Sequence, residues 1–575
     1  MKIFEIINEI EKILNTNIKS FFKENENREF GDYSLTIAFT LSREKNKSLE
    51  IVAKEICEKL KQLEFLEKVE VKNGYVNLFL DYKKIYKEIL SQKISFEKEN
   101  KRILIEHTSV NPNKAIHIGH LRNSIIGDCL YRLLKNFYKT VLVSNYIDDT
   151  GQQIAEIILA FKELGFNIDT NKKFDLYCSE IYPLIDKKIN EDIYLKNKLQ
   201  EIIKSLEKYD EFNEAIILKV LKEQLETLKK FDIKFDFLIR ERDILSFEIF
   251  KDAIKILEAN NLLSKKDCIF VIFNNKEIPI TRKDGTTLYV GKDIAFALWK
   301  LGAIKKDFSF EKFDSTLITS LKGNLKKIKS FDISINVIDV RQKDEQNLVK
   351  YIAEKITKNK YIHYSYEVVA ISNETAKQLN IETEENILHL SGRKGIFINA
   401  DDIVEKLKLR IKAINPKLSE KKVESLAINT IKYEFIKVSP EKMIIFDLED
   451  SLKLVGNTAI YALYSFLRLK KILKKAEKIE KDFEVKEFDE LEKELLFLIL
   501  NYPLFLCSLK ENLRINLLCS YLYRLSTVFN KFYEKNPVLT AEESVKNFRL
   551  NLLLSLKKVY ESLFSIIGLK LISSI

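Results

Sequence analysis

Cysteine is scarce in this sequence, and its few residues are scattered. The chain has six cysteines among 575 residues, and no two of them form a CxxC pair. Because structural zinc sites usually draw on such closely spaced pairs, no zinc site is expected. Most of these cysteines lie in apolar stretches, as core thiols do, and unpaired thiols are typical of a reducing compartment. The sequence therefore predicts a cytoplasmic protein without zinc.

Long apolar runs are also missing. No stretch of about eighteen apolar residues occurs, so no membrane span is expected. The first fourteen residues carry acids within an amphipathic pattern, so no signal peptide is expected either. A length of 575 residues with 46% apolar and 31% charged residues predicts a globular protein of several domains. The net charge of +11 has the sign expected of a nucleic-acid partner but is too modest to identify one.

Glycine and histidine are rare, and both are concentrated in one part of the chain. Ten of the 14 glycines lie between residues 117 and 395. Three of the five histidines, His107, His117 and His120, lie within one short stretch. A chain that otherwise avoids glycine keeps it where the backbone must bend or approach a ligand. Because the glycines and the histidines cluster in the same part of the chain, the sequence favours a ligand site there.

The histidine cluster lies in a strand, loop, helix and strand pattern. The apolar run 102–106 predicts a buried parallel strand, and 140–145 predicts a second one. Between them, residues 121–134 place apolar side chains at helical spacing. Units of this kind bind nucleotides at the N-terminus of the helix.

The motif His117-Ile-Gly-His120 suits phosphate chemistry at that helix start. The two histidines are three residues apart, so they are expected to share one face of the first turn. Imidazoles there can donate to phosphate oxygens as negative charge builds, beside the free amides of the helix. Gly119 would leave room for a nucleotide, and Lys114 adds a compact cation on the preceding loop. The alternative is a pair of solvated histidines at a helix start.

A second basic loop lies far downstream, at 390–395. It contains Ser391, followed by Arg393 and Lys394 between two glycines. Taken alone, it is best interpreted as an ordinary basic turn. Together with the histidine motif, it indicates a second phosphate-binding loop of the same site.

Several motifs in sequence order resemble the class I aminoacyl-tRNA synthetases, and among these the arginyl enzymes. The central motifs are IEHTSVNPNKAIHIGHLRNSIIGDCLYRLLKNF at 105–137, SNYIDDTGQQ at 144–153 and TRKDGTTLYVGKDIAFAL at 281–298. Flanking motifs are FGDYS at 30–34, NGYVN at 73–77, NTAIYALY at 457–464 and FNKFY at 529–533. The resemblance covers nearly the whole chain, and the order of the motifs makes it far more specific than the histidine motif alone.

The resemblance implies two sets of residues around ATP. The residues expected to bind ATP are His117, Gly119, His120, Ser391 and Lys394. The residues expected to stabilise charge during catalysis are His117, His120, Lys114, Arg393 and Lys394.

The chain also departs from the family. Where most class I enzymes have KMSKS, it has Ser391-Gly-Arg-Lys-Gly395. In arginyl enzymes that lack the second lysine, a lysine just before the histidine motif is thought to substitute, and Lys114 holds that position. The family commonly ends in a methionine that touches the anticodon, whereas this chain ends in Ile575. A methionine contact is therefore not expected.

An arginine substrate requires acceptors for a planar guanidinium fork. Asp293 lies four residues after Tyr289, so both point the same way if a helix begins at residue 288. The resemblance implies that Asp293 pairs with the guanidinium in a bidentate manner and that Tyr289 adds a hydrogen bond. It also implies that Glu106 lies near the substrate and Asn111 holds the α-amino group, with Gln342 as a further candidate. Without the resemblance, Asp293 could equally be an ordinary acid at a helix start.

Five residues are expected to contact tRNA. The resemblance places Tyr75 and Asn77, two apart on a strand, against the D-loop at the tRNA elbow. It places Tyr461, Tyr464 and Tyr533 on a platform on which anticodon bases stack. The alternative is that these tyrosines are core residues.

The predicted fold class is α/β, with three domains. A small N-terminal α/β domain over 1–95 would bind the tRNA elbow, and a polar run at 95–101 would link it to the next domain. A doubly wound catalytic domain over 96–425 would carry a helical insertion at about 154–265 and the signature loop at 391–395. Strands at 268–273 and 333–339 would complete its sheet. An all-helical bundle over 426–575 would bind the anticodon.

The expected activity is ATP-dependent attachment of L-arginine to tRNA(Arg), with Mg²⁺ on the phosphates, in a monomeric protein. Three alternatives remain at this point. A cysteinyl or class I lysyl synthetase would share the fold, although the cysteinyl enzyme needs zinc ligands. A nucleotidyltransferase that makes a small activated metabolite would usually be shorter. A catalytically silent RNA-binding relative should have lost Lys114, the histidines or Asp293, and this chain retains them.

Overall fold

The N-terminal part of the chain forms an antiparallel sheet covered by helices. This computed structural model describes residues 2–325, 328–389, 398–476 and 478–574. The N-terminal strands are β1 (Phe22–Glu24), β2 (Tyr33–Leu35), β3 (Leu66–Lys72) and β4 (Tyr75–Leu80). The helices are α1 (Ile3–Leu14), α2 (Ile37–Glu44), α3 (Leu49–Leu60) and α4 (Tyr82–Leu90), with a 3-10 turn at Arg28–Phe30. The strand order is β1-β2-β4-β3.

The hairpin of β3 and β4 turns at Asn73 and Gly74. Both residues have positive φ angles, 53° and 81°. The tightest hairpin turns require positive φ at both central positions, which Asn-Gly tolerates at little cost. Lys72 and Tyr75 accordingly face each other across the turn.

The middle of the chain contains most of the remaining strands. They are β5 (Glu99–Glu106), β6 (Tyr138–Ile147), β7 (Phe237–Arg240), β8 (Leu263–Lys265), β9 (Ile269–Phe273), β10 (Lys276–Pro279), β11 (Phe310–Phe313), β12 (Thr316–Thr319), β13 (Ile333–Asp339) and β14 (Lys360–Tyr366). Seven of them form the central sheet, in the order β11-β12-β7-β6-β5-β13-β14. All neighbours in this sheet are parallel except β11 and β12.

Strand β5 lies between β6 and β13 in this sheet, and its position explains where the site lies. Ile103, Leu104 and Ile105 are fully buried, as expected of a parallel strand covered on both faces. The chain first winds from β5 towards β6 and β7, and later returns to the other side of β5 as β13 and β14. Ligands bind at such a switch point, beyond the carboxyl ends of the strands. For β5 that end is Glu106.

Helices cover the central sheet and form the insertion. They are α5 (Ile118–Leu134), α6 (Gln152–Glu163), α7 (Phe174–Glu191), α8 (Ile193–Ser205), α9 (Glu211–Lys230), α10 (Glu241–Ser246), α11 (Ile249–Ala259), α12 (Tyr289–Lys300) and α13 (Lys343–Ile356), with a 3-10 turn at Val340–Gln342. Helices α6 to α9 share a separate apolar core in the insertion. The doubly wound α/β class with a helical insertion is confirmed.

Three local expectations were wrong. The segment 154–265 contains β7, a fully buried strand of the central sheet. Only its first three residues are apolar, and so short a run shows no period that separates strand from helix. Strand β9, predicted to belong to the central sheet, pairs instead with β8 and β10. Its turn at 274–275 has positive φ at both asparagines, which sends the chain into a local hairpin. Strand β5 begins at Glu99, inside the predicted linker.

The C-terminal part is a helix bundle with a small sheet at its edge. Its strands are β15 (Val369–Ser372), β16 (Ile387–His389) and β17 (Ile444–Phe446), in the order β16-β15-β17. Its helices are α14 (Asn373–Gln378), α15 (Ala400–Ile414), α16 (Glu420–Lys437), α17 (Leu448–Ser451), α18 (Ala459–Lys475), α19 (Glu490–Asn512), α20 (Asn516–Lys535) and α21 (Glu543–Ile567). Strand β17 interrupts the segment expected to be all helical, because it pairs with β15 from outside that segment.

Within the described ranges, no helix combines the length and the apolar character needed to cross a bilayer.

Candidate active site

The histidine motif opens helix α5 beyond the end of β5. His117 is the N-cap, in extended backbone with φ −91° and ψ 167°. Its Nδ1 accepts hydrogen bonds from the amides of Gly119 at 3.1 Å and His120 at 3.2 Å. A neutral imidazole that accepts at Nδ1 carries its proton on Nε2. The His117 Nε2–H is therefore a donor available to a ligand at the helix start.

The two imidazoles lie face to face, with ring centroids 3.4 Å apart and an angle of 21° between the rings. Burial is the main cause that lowers the pKa of His117 to about 3, and Lys114 and Arg341 add to it. Burial and the adjacent His117 also hold the pKa of His120 well below its ordinary value. Both rings are therefore neutral near pH 7, and Nδ1 of His120 is buried without a hydrogen-bond partner among the described residues.

Gly119 is required by the His117 cap itself. A Cβ at position 119 would lie 2.9 Å from Cε1 and 3.0 Å from Nδ1 of His117. A side chain there would displace the imidazole from the amides that it caps. The expected role of Gly119, room for a nucleotide, stays a prediction, and the contact with His117 is a separate requirement.

His107, the third histidine of the cluster, belongs to the core. It is fully buried, and burial lowers its pKa to about 4. Gly127 makes room for it, since a Cβ there would lie 2.3 Å from the imidazole. The next two residues, Thr108 and Ser109, have positive φ angles of 78° and 45°. Such backbone is strained for residues with a side chain, and it turns the chain sharply out of β5.

Lys114 lies beside the histidines, with its Nζ 4.7 Å from the ring centroid of Tyr182. It is buried, and burial lowers its pKa whereas Glu156 raises it. A buried ammonium close to two neutral imidazoles provides positive charge without requiring protonated histidine.

The predicted signature-loop residues Ser391, Arg393 and Lys394 lie outside the described residues. The described chain resumes at residue 398, and its backbone forms hydrogen bonds with the histidine motif. The amide of Ile118 donates to the carbonyl of Ile398 at 3.0 Å, and the amide of Ala400 donates to the carbonyl of Ile116 at 2.8 Å.

The carboxylate of Asp293, the residue expected to bind the guanidinium, lies on α12 and is partly buried. Burial is the main cause that raises its pKa to about 7, and the nearby Glu106 and Glu241 add to it. The side-chain amide of Gln346 reaches it at 3.5 Å, and Gln346 in turn accepts from the Tyr361 hydroxyl at 2.8 Å. An acid held in such an environment favours the arrival of a cation.

Glu106 already has a cation as its partner. Its Oε2 lies 2.7 Å from Nζ of Lys300, which also donates to Oδ1 of Asn336 at 2.6 Å. Lys300 and Asp293 are seven residues apart on α12, so both face the carboxyl end of β5. The internal pair neutralises one of the two carboxylates, and Asp293 forms no ion pair with any of the described residues.

Tyr289 and Asn111 meet around Gly151. A Cβ at position 151 would lie 3.2 Å from the Tyr289 hydroxyl and 3.4 Å from the Asn111 side-chain nitrogen. Tyr289 is half exposed. Between Tyr289 and Asp293, Lys292 forms a buried ion pair of 2.8 Å with Glu241 and fixes the first turn of α12.

The expected contact of Gln342 with the substrate stays a prediction. Gln342 is exposed at the end of the 3-10 turn, and the glutamine that contacts Asp293 is Gln346, one helical turn later. Gln346, Tyr361 and Lys300 were not singled out from the sequence. Lys300 could have been noticed from its spacing to Asp293, whereas Gln346 and Tyr361 meet Asp293 only through tertiary contacts.

The predicted tRNA residues divide into exposed and buried ones. On the bundle, Tyr464 and Tyr533 are 39% and 43% exposed. The guanidinium of Arg468 on α18 lies between them, 4.5 Å and 5.0 Å from the two ring centroids. Tyr461 is partly buried, with its ring 5.8 Å from that of Tyr523.

The N-terminal pair splits in the same way. Tyr75 is 44% exposed, with its ring 5.1 Å from that of Phe39. Asn77 is 2% exposed, and its Oδ1 accepts from the Ser34 hydroxyl at 2.5 Å. The expected surface contact of Asn77 conflicts with this burial, because its amide is used to hold strands β2 and β4 together.

Family models match the chain in three regions. The N-terminal domain of arginyl-tRNA synthetases matches residues 2–80, and the catalytic domain of class I tRNA synthetases (R) matches residues 85–319. The DALR anticodon binding domain matches residues 462–575.

Relatives match along nearly the whole length. The arginine–tRNA ligase of Pyrococcus furiosus is 33% identical over 96% of this chain and 95% of its own length. The arginine–tRNA ligase of Thermus thermophilus is 28% identical over 94% of this chain and 93% of its own. The solved arginyl-tRNA synthetase of Thermus thermophilus superposes with a TM-score of 0.86, at 25% identity, over 100% of both chains. The chain belongs to the arginyl-tRNA synthetases, within class I of the aminoacyl-tRNA synthetases.

Proposed function

We propose that this protein attaches L-arginine to tRNA(Arg) in an ATP-dependent reaction, through an arginyl-adenylate. The carboxylate of arginine attacks the α-phosphorus of ATP, and the bond to the departing pyrophosphate breaks. A ribose hydroxyl of the terminal adenosine of tRNA then attacks the carbonyl carbon and releases AMP. No protein nucleophile takes part, so the protein contributes positioning and charge stabilisation.

The described groups at the start of α5 fit an anionic substrate. The Nε2–H of His117 and the ammonium of Lys114 are both donors to phosphate oxygens, and the dipole of α5 favours negative charge at this end of the helix. Magnesium bound to the phosphates would neutralise part of their charge, and Mg²⁺ is commonly held by substrate phosphates rather than by a protein cage. The absence of zinc and the monomeric state stay predictions from the sequence.

The observation that carries the choice of arginine is the pair of carboxylates formed by the buried Glu106 and the partly buried Asp293. Glu106 is neutralised internally by Lys300, whereas the carboxylate of Asp293 touches a neutral amide. A monocation with planar donors would complete this site, and a guanidinium offers such donors for bidentate pairing.

The test is an ATP–pyrophosphate exchange assay over the twenty amino acids, with and without tRNA. Arginine is expected to support exchange and the other nineteen are not. Exchange driven by lysine or cysteine would contradict the assignment of the pocket.

Exchange is also expected to require cognate tRNA. The arginyl enzymes that this chain resembles usually behave so, and the loop at 391–395 is an imperfect signature. The measurement compares the exchange rate at saturating arginine with tRNA(Arg), with a non-cognate tRNA and without tRNA. Full exchange without tRNA would contradict this expectation.

Replacing Tyr464 or Tyr533 by alanine is expected to weaken tRNA binding selectively. Each ring offers a face to an unpaired base, and base stacking contributes about 1–3 kcal/mol per base, roughly a 5- to 150-fold rise in the KM for tRNA. The KM values for ATP and arginine should stay unchanged. Arg468→Ala should have a similar effect, because its guanidinium holds both rings.

The control for this prediction is Tyr560, a fully buried tyrosine of the same bundle. Tyr560→Ala should lower the melting temperature, whereas the exposed tyrosines should leave it nearly unchanged. A loss of stability with normal tRNA affinity in both surface variants would place the anticodon elsewhere on the bundle.

A further inference from the structure

The loop that carries Lys114 is held by two helices of the insertion. From α9, the side-chain amide of Gln224 donates to the carbonyl of Asn111 at 3.0 Å and to that of Lys114 at 2.7 Å. From α7, the hydroxyl of Ser179 accepts from the amide of Ala115 at 2.9 Å. The insertion therefore fixes the backbone of this loop.

The side chain of Lys114 also faces the insertion. Its Nζ lies 4.7 Å from the ring centroid of Tyr182 on α7. The Tyr182 hydroxyl donates to Oε2 of Glu156 on α6 at 2.6 Å, and the amide of Gln152 donates to Oε1 at 2.8 Å. Glu156 is 4% exposed and Lys114 is 6% exposed. Hydrogen bonds thus orient both carboxylate oxygens of Glu156. Glu156 in turn holds the ring of Tyr182 against the ammonium of Lys114.

We propose that Tyr182 and Glu156 are positioning residues for Lys114 during adenylate formation. The Tyr182 ring restrains the ammonium through a cation–π contact, and Glu156 orients the ring and supplies the counter-charge that keeps the ammonium protonated. This inference rests on the adenylation chemistry proposed above. It gives the helical insertion a part in catalysis, although neither residue touches the reacting atoms.

A restraint of this kind is needed because of the chemistry of lysine. An ammonium on a four-carbon stem has many rotamers, and burial disfavours its charged form. A cation–π contact in a desolvated site compensates for part of this cost, and a nearby carboxylate compensates for more. Burial indeed lowers the pKa of Lys114, and Glu156 raises it.

The first test compares Tyr182→Leu with Tyr182→Phe in the exchange assay with tRNA present. Tyr182→Leu removes the ring and is expected to lower kcat about 3- to 30-fold, with the KM for arginine unchanged. Tyr182→Phe keeps the ring and is expected to retain more of kcat. In a Lys114→Met background, Tyr182→Leu should cause no further fall, because residues that act through one group are not additive.

The second test uses Glu156→Gln and the pH dependence of kcat. Glutamine keeps the shape of the side chain but removes the charge that favours the protonated ammonium, so the alkaline limb should move to lower pH. The other charged or titratable groups acting at this end of the site are His117, His120 and Arg341. The histidines are already neutral and Arg341 stays charged, so none of these groups titrates on that limb.

The matched control is Tyr194→Phe. Tyr194 also lies in the insertion, and its hydroxyl also meets a glutamate, Glu163 at 3.4 Å, but this pair is exposed and remote from Lys114 in the contacts described. The Tyr194→Phe substitution should leave kcat and its pH dependence unchanged.

The possible failures are distinguishable. If the proposed function failed, the wild-type protein would show no arginine-dependent exchange. If only this inference failed, the wild-type protein would be active, and the Tyr182→Leu variant would keep its kcat or lose the same factor with and without Lys114. An alkaline limb that Glu156→Gln leaves in place would also overturn the inference.

Discussion

Lys114→Met is expected to lower kcat for arginine-dependent exchange about 100- to 1,000-fold, which is the usual cost of removing one preorganised donor from a charge-stabilising site. The KM for arginine should change little, since the ammonium acts where charge develops on the phosphates. Two features of the site support a large effect. The imidazoles of His117 and His120 are neutral near pH 7. Lys114 is the buried cation beside them, and buried charges act with little solvent screening.

The control for Lys114→Met is Lys162→Met. Lys162 lies on α6 with its ammonium 5.1 Å from the ring centroid of Phe212, so it shares the cation–π environment but lies outside the site. Its substitution should leave kcat unchanged. A normal rate in Lys114→Met itself would show that Arg393 or Lys394 carries this charge instead.

Asp293→Asn is expected to weaken arginine binding more than any other single change in the pocket. Removing one partner of a buried charge pair costs about 2–5 kcal/mol, roughly a 30- to 5,000-fold rise in the KM for arginine. The KM for ATP should stay the same. Asparagine has the shape of aspartate, and it avoids burying a charge in the free protein. The melting temperature should therefore hold or rise, which separates lost recognition from lost folding.

The same carboxylate predicts a pH dependence. Burial and Glu106 raise the pKa of Asp293 to about 7 in the free protein. A guanidinium binds the deprotonated form, so below about pH 7 the carboxyl must release a proton before arginine binds. The KM for arginine should then rise as pH falls through 7, up to tenfold per pH unit. Asp293→Asn should abolish this dependence.

Asp252→Asn serves as the control for Asp293→Asn. Asp252 lies on α11, partly exposed, and pairs with Lys255. Its substitution should change neither the KM for arginine nor its pH dependence. If the Asp293→Asn variant bound arginine normally, the specificity pocket would have to lie elsewhere than at α12.

Local features of the site could be predicted from the sequence because they depend on neighbours in the chain. The run at 102–106 is apolar without alternation, and its residues 103–106 are buried in the central sheet. Asn73-Gly74 fixes a hairpin through its own φ angles. Tyr289 and Asp293 share a helix, so their four-residue spacing is enough to place them on one side.

Other features depend on contacts between distant segments, which no local pattern encodes. Asn77 was expected at the surface, but it is buried because its side chain accepts a hydrogen bond from Ser34 on another strand. Arg468 completes the tyrosine pair only because α18 and α20 lie side by side. Strand β7 has four residues, and its identity comes from pairing with β6 and β12.

The sequence by itself determined the family, the doubly wound core and the histidine motif at the start of a helix, and it predicts Asp293 as the acid for the guanidinium. These rest on short-range spacing, which backbone geometry converts directly into position. Tertiary structure alone decided which charges remain available. It paired Glu106 with Lys300 and left Asp293 against an amide. It also placed Tyr182 against Lys114. Such pairings depend on burial and on distances of a few ångströms, which form only when separate segments pack together.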